Sequence, residues 1–227
     1  MGKTLGRPKT LDREEIINIA FNEYWEKGMF NVSLTTIAKL AKVSRPGIYK
    51  EFEDEDGLRT EVLKKYIKLS AEPVHKNYDS YKLYPNHLFN HFDAIINDGN
   101  KNLTKDKNYL KIKRPRNAIG CLMERTRLNS ELLGPKAKKL IKTFNTFRIE
   151  CFKKYVRNAQ ADGKFKKNLN AKSTAEYILA QFSMIQTYRL NGINKNRIEN
   201  ILKTALKPLL TYTINLTIII ILCITEL

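Results

Sequence analysis

Two short helical segments, residues 34–41 and 45–52, stand three residues apart, and this spacing constrains the fold more than any other feature of the chain. Ser33 and Ser44 stand one position before each segment, where a side-chain oxygen accepts a free backbone N–H of the first turn. Ile37, Ala38 and Ala41 share one face of the first segment. Val43 falls in the turn, and Ile48 lies on the inner face of the second. Ala38 is small where two helices must cross closely. Helices joined this tightly can bury their apolar faces only as a helix-turn-helix against a third wall. Residues 11–27 supply that wall through Ile16, Ile17, Ala20, Phe21, Tyr24 and Trp25 at helical period. Asp12 and Glu15 have capping-box spacing at its start, and Gly28 follows its last turn.

The outward residues of this unit suit phosphates and base edges. Ser33 and Thr36 place hydroxyls at a helix N-terminus, where free N–H groups meet a phosphate. The second segment presents Ser44, Arg45, Pro46, Gly47, Tyr49 and Lys50. Arg45 and Lys50 can reach base acceptors or phosphates, Tyr49 can give its hydroxyl to a phosphate, and Gly47 lets the backbone approach the groove wall. A basic arm ahead of the unit contains Arg7 within Gly6-Arg7-Pro8-Lys9, which suits the minor groove.

The remainder also reads as helix. Helices are expected over Glu55–Ser70, Asn86–Asn97, Arg116–Leu133, Pro135–Ala161, Ser173–Leu190 and Lys195–Leu210. Loops are marked at Asp98-Gly99-Asn100, Gly134-Pro135, Asp162-Gly163 and Asn191-Gly192. The fold class is therefore all-α: an N-terminal three-helix helix-turn-helix domain (1–54), a C-terminal helical ligand-binding and dimerisation domain (55–210) and an apolar tail (211–227). The run 209–224 is apolar but β-branched, broken by Thr and Asn, and shorter than the ~20 residues of a membrane span, so a membrane anchor is not expected.

The formal net charge is +18, and its distribution matters more than its size. Residues 1–50 hold nine basic and five acidic residues, residues 51–61 one and six, and residues 62–227 thirty-one and twelve. Most of the excess thus lies outside the helix-turn-helix. Lysines spread over solvated faces, field-assisted attraction to DNA and an anionic ligand all fit that distribution. Cys121, Cys151 and Cys223 form no CxxC pair. With no signal peptide at the start, they fit a reducing, cytoplasmic setting and read as small buried hydrophobes.

The stretch GMFNVSLTTIAKLAKVSRPGIYKEFEDEDGL resembles the DNA-binding domain of the tetracycline-repressor (TetR) family. The resemblance covers residues 11–60 and rests on Gly28, Ser33, Ile37-Ala38, Ala41, Val43-Ser44-Arg45, Ile48-Tyr49, Phe52 and Leu58. The stretch IGCLMERTRLNSELLGPKAKKL, with NAQADGKF after it, resembles the ligand-binding domain of some members. The resemblance implies a homodimeric regulator, expected to be a repressor, on a pseudo-palindromic operator in double-stranded DNA. It further implies a small-molecule effector that acts through the helix at 55–70. Four positions depart from the family pattern. Lys42 stands in the turn where Gly is usual, Gly47 where a hydroxyl is common, Glu51 where His or Tyr is usual, and Glu55 where a Lys opens the next helix. A left-handed Lys42 would cost roughly 1 kcal/mol, and two acids beside DNA would weaken binding.

Aromatic and soft residues point to an apolar effector cavity lined by Tyr84, Phe89, Phe92, Cys121, Phe144, Phe147 and Tyr188, with Glu124 or its neighbour Arg125 to orient a polar ligand group. Ordinary core packing explains the same pattern. His87 and His91 have i, i+4 spacing, but no third ligand accompanies them, so solvated or capping histidines are expected rather than a metal site. Ile178, Phe182, Ile185, Ile198 and Leu202 fall on apolar stripes of the last two helices. The resemblance implies a four-helix dimer interface there, while their spacing permits burial within one subunit equally. No cofactor is expected. No Gly-rich phosphate loop, metal cluster or nucleophile elbow points to an enzyme. The alternative is an interaction or membrane-associated adaptor that no longer reads DNA.

Overall fold

The computed structural model describes residues 12–79, 85–97 and 113–211. The first three helices are α1 (Arg13–Lys27), α2 (Leu34–Ala41) and α3 (Arg45–Phe52). The expected caps form: Asp12 accepts from Glu14 N and Glu15 N, Ser33 from Thr36 N, and Ser44 from Gly47 N. Lys42 does adopt the left-handed conformation, with φ 56° and ψ 38°, and its N–H closes α2. Glu53, which ends α3, is the other non-glycine residue with positive φ among the described residues.

Helix α4 (Glu55–Tyr66) ends earlier than the periodicity predicts. It passes through a π-helical turn, Ile67–Ala71, into α5 (Glu72–Lys76). Pro73 lies in the first turn of α5. It has no N–H to give to the preceding turn and its ring crowds that turn, so the ladder widens there. Helices α6 (Asn86–Ile96), α7 (Leu122–Arg127), α8 (Pro135–Ala161), α9 (Ala171–Leu190) and α10 (Lys195–Leu206) complete the described chain. Beyond α10, Leu210 meets Phe165 in a single isolated bridge. Among the described residues no helix is long and apolar enough to cross a membrane. Residues 212–227, which include most of the expected apolar tail and Cys223, lie outside the described residues.

Two cores hold the molecule together. The first joins α1–α4 to α7 and the start of α8, through residues such as Phe21, Trp25, Ile37, Ile48, Leu63, Leu122, Ala137 and Phe144. The second lies between α6, α8, α9 and α10 around Phe92, Phe152, Tyr155, Ile178 and Leu202. The expected boundary at residue 54 is therefore not a packing boundary, because the helix-turn-helix shares its core with later helices.

Polar contacts reinforce this joint. Helix α8 begins at Gly134-Pro135 with no side-chain cap of its own. Asp56, in the first turn of α4, accepts from Lys136 N at 2.8 Å and Ala137 N at 3.4 Å, so one helix caps another. Glycine at 134 is required for that approach, since a Cβ there would lie 2.4 Å from the Asp56 carboxyl carbon. The Lys136 ammonium pairs with Glu53 at 2.6 Å. Asp56→Ala is expected to lower unfolding stability by about 0.5–2 kcal/mol, the usual range for a lost cap. Denaturant titration would read this as a shifted midpoint, and an unchanged midpoint would contradict the cross-helix cap.

Candidate nucleic-acid interface and inner cavity

Ile48 and Phe52 are buried and fix α3 against the first core, which turns its other side outward. Arg45, Pro46, Tyr49 and Lys50 are exposed there, Gly47 is half-buried, and Thr36 is exposed on α2. Ser33 and Ser44 are exposed as well, but their oxygens already accept N–H groups in the caps. Ser33 and Thr36 also bond each other at 3.0 Å. These serines hold the helix ends rather than standing free. Arg45 donates to the Tyr49 hydroxyl at 3.1 Å and lies over its ring at 5.5 Å, so the two extend as one unit. Arg7 lies outside the described residues.

The two unexpected acids do not stand alone. Glu51 pairs with Arg13 at 2.9 Å, and Glu55 with Arg59 at 3.2 Å. Each carboxylate is offset by a guanidinium within the same domain. That reduces the repulsion a nearby polyanion would feel.

Behind this unit, the π-helical turn and α5, α6, α7, α8 and α9 line a cavity of about 30 Å³, close to one water's share of liquid volume. Of the residues expected around an effector, Cys121, Glu124 and Phe144 line this cavity, beside His75, His91, Met123, Arg148, Phe182 and Gln186. The other expected lining residues lie elsewhere. Phe92 stacks on Phe182 inside the second core at 4.5 Å. Phe147 and Tyr188 are half-buried at the core edges. Phe89 lines a separate apolar crevice with Leu88, Phe165 and Leu206. Tyr84 lies outside the described residues.

The cavity's polar wall is one connected cluster. Arg148 donates to Glu124 Oε2 and to His75 Nε2, both at 3.1 Å. Arg127 gives two hydrogen bonds to Glu124 Oε1, at 2.6 and 3.1 Å, and Ser183 donates to the same oxygen at 2.5 Å. Burial alone would raise the Glu124 pKa, but Arg148 and Arg127 outweigh it and hold the carboxyl at about 2. His75 Nδ1 lies 2.6 Å from the Ala71 carbonyl, which can only accept. That fixes the proton on Nδ1 and leaves Nε2 as acceptor for Arg148, a neutral ring. Burial, with Arg148 beside it, depresses the His75 pKa to about 3.

His87 and His91 are buried rather than solvated. His91 shares a 2.7 Å hydrogen bond with Tyr78 and packs on Phe182 at 4.6 Å, and the His87 ring lies 4.6 Å from that of Tyr78. Burial lowers both pKa values, that of His87 to about 4. Among the described residues no three His, Cys, Asp or Glu side chains come together as a metal site.

The five expected dimer contacts need correction. Ile178, Phe182, Ile185, Ile198 and Leu202 are each at most 3% exposed within one subunit. The α9 stripe packs on α6 and α8 and the α10 stripe on α6 and α9, so both are spent within the second core. Sequence reasoning also missed Arg148, His75 and Gln186. Arg148 had a signal: it interrupts the apolar stripe Ile141–Phe144–Phe152–Tyr155 at helical spacing. Those neighbours are buried, so the guanidinium must be buried with them.

Residues 16–62 match the family described as bacterial regulatory proteins, tetR family. Over 96 residues, 42% of this chain, the sequence is 30% identical to the HTH-type transcriptional repressor ComR of Escherichia coli (strain K12). Over residues 16–62, then, the chain is similar to the DNA-binding domain of TetR-family regulators. The match spans about half the length of that relative, 46% of it.

The TetR-like fold extends further than the sequence match. Reduced NemR from E. coli superposes with a TM-score of 0.63 at 12% identity, covering 89% of this chain and 98% of NemR. A TetR-family regulator from Agrobacterium tumefaciens gives 0.65 at 13% identity, covering 87% and 97%. A cysteine mutant of the TetR-family regulator CifR, complexed with 26-bp double-strand operator DNA, gives 0.63 at 16% identity, covering 90% and 100%.

Proposed function

We propose that this chain is a ligand-responsive transcriptional repressor of the TetR family that binds a pseudo-palindromic operator as a homodimer. The observation that carries this reading is the outward face of α3. Arg45, Tyr49 and Lys50 project from a helix whose inner side is anchored by Ile48 and Phe52. The neighbouring acids are already paired with arginines. The ComR relative is named as a repressor, and the CifR relative was solved on operator DNA.

The proposed dimer face is the outer side of α9 and α10. Exposed Tyr177 and Leu190 and half-buried Met184 and Ile201 provide its apolar area. The Tyr177 hydroxyl donates to the Ala205 carbonyl at 2.7 Å and ties the two helices together. A dimer would set the two α3 helices about one DNA turn apart, ~34 Å.

The route from cavity to DNA runs through the bend before α7. The Gly120 carbonyl accepts from Trp25 Nε1 of α1 and from Arg114, each at 3.0 Å. The adjoining Cys121 N–H donates to Gln186 of α9 at 2.8 Å, and the Tyr66 hydroxyl of α4 donates to Cys121 Sγ at 3.1 Å. Gly120 has φ +67°, and a Cβ there would lie 1.9 Å from Gln186 Oε1, so the bend fits only glycine. A ligand that shifts this bend moves α1 and α4 together.

Arg45→Ala tests the recognition assignment. It is expected to weaken operator binding by about 1–3 kcal/mol and to relax base preference at one position of each half-site. Fluorescence anisotropy against duplexes varied at single positions would read both effects. Equal weakening on every duplex would reduce Arg45 to a phosphate contact.

A further inference from the structure

The cavity holds a buried cation whose hydrogen bonds are incomplete. A guanidinium carries five N–H groups. Among the described residues Arg148 makes two hydrogen bonds, to His75 and to Glu124, although its side chain is only 6% exposed. Glu124 is in the opposite position. Its two oxygens accept four hydrogen bonds from Arg127, Arg148 and Ser183. Two guanidiniums thus share one saturated carboxylate, and His75 adds no charge. The side chain of Arg127 is 32% exposed, so water can serve it, whereas Arg148 faces the cavity. A buried charge with spare donors is stabilised most by an anion that can take two of them at once.

We propose that this cavity binds a small monocarboxylate with a compact aromatic or apolar body, its carboxylate seated on Arg148. The inference rests on the ligand-responsive reading and names the class of ligand. The rings of Phe144, Phe182, His75 and His91, with the adaptable side chain of Met123, form the apolar walls. An ammonium group would find Glu124 saturated and Arg148 repulsive, and a neutral amide would leave the surplus charge unmet. At about 30 Å³ the cavity admits only the head of such a ligand without movement. Ala71, which lines it, closes the π-helical turn that follows α4. Entry of the ring would displace that turn and, with it, the helix leading to the DNA-binding unit.

The test uses the full-length protein without DNA and three probes that share one ring and differ in the charge of the head: benzoate, benzamide and benzylamine. Calorimetry and quenching of Trp25, the single tryptophan, read binding. Benzoate is expected to bind about 10–100-fold more tightly than either neighbour, the range of one charge-assisted hydrogen-bonded pair. Arg148→Met should remove that preference, and Arg148→Lys should keep part of it. Circular dichroism checks that each variant is folded, and operator binding measured separately checks the regulatory reading. Equal or tighter binding of benzamide or benzylamine would overturn the proposal. So would no binding of benzoate at millimolar concentration, or an undiminished preference in folded Arg148→Met. If the ligand preference appears but operator binding does not, the regulatory reading fails and this one stands.

Discussion

Tyr49→Ala combined with Lys50→Ala is expected to abolish sequence-selective DNA binding while leaving the fold and the proposed dimer intact. Both side chains are exposed on α3, and the helix is held by Ile48 and Phe52 on its other side. Losing Tyr49 also frees Arg45 from the hydroxyl and ring that steady it. Losing two contacts to DNA, and with them the support of Arg45 as a base-edge contact worth about 1–3 kcal/mol, accounts for a loss on the order of 100-fold or more. Removing a lysine that contacts phosphate should also lower the salt slope by about one. Anisotropy titrations at several salt concentrations would show both effects, with light scattering to follow the dimer. Unchanged operator affinity in the double variant would refute α3 as the recognition helix.

Acid is expected to unfold this protein well above the pH at which its carboxylates protonate. His75, His87 and His91 lie buried in one aromatic cluster, with pKa values depressed to about 3 for His75 and about 4 for His87. Among the described residues, the charged groups acting on them are Arg148 and, on His75, also Glu124, which Arg148 pairs with. The ordinary histidine value is near 6.5, so below it the unfolded chain binds protons that the folded chain refuses. Stability from these rings is therefore complete above pH 6.5 and is lost as pH falls toward 4 and then 3. Each unit of depression is about 1.4 kcal/mol, so these rings make stability depend steeply on pH below the ordinary histidine value. Glu124 adds a second loss, between its ordinary value and about 2. Melting curves between pH 7.5 and pH 5 should show a large fall in Tm. His91→Phe, which keeps a ring but carries no proton, should flatten that fall. A melting temperature independent of pH over this range would contradict the buried, neutral cluster.

The parts of the fold legible in the sequence were those fixed by local chemistry. Helices α2, α3 and α8 have the predicted ends because Ser33, Ser44, Gly134-Pro135 and Asp162-Gly163 act within a few residues of each boundary. The left-handed Lys42 could be anticipated for the same reason. The failures came from partners distant in the chain. The helix expected over Arg116–Leu133 shrinks to α7, because Gly120 turns with positive φ and its carbonyl is taken by Trp25 and Arg114. Nothing near residue 120 names those donors.

Site residues divide in the same way. Exposed positions on α3 follow from helical period once Ile48 and Phe52 face the core. Periodicity cannot say whether an apolar stripe on α9 meets a second subunit or its own α8, and the stripe of Ile178 and Phe182 meets the latter. His87 and His91 look like surface polar residues until the aromatic cluster around Tyr78 is assembled. The acids Glu51 and Glu55 threatened DNA binding only while Arg13 and Arg59 were not yet placed beside them.

Specific recognition of DNA by a dimer is decided by selection of random duplexes with the purified protein, followed by salt titration of the enriched sequence against scrambled DNA. An enriched palindrome is expected, its half-sites centred one helical turn apart and bound far above scrambled DNA at physiological salt. Equal binding to all sequences, fading steeply as salt rises, would reduce the interaction to charge attraction and contradict the account.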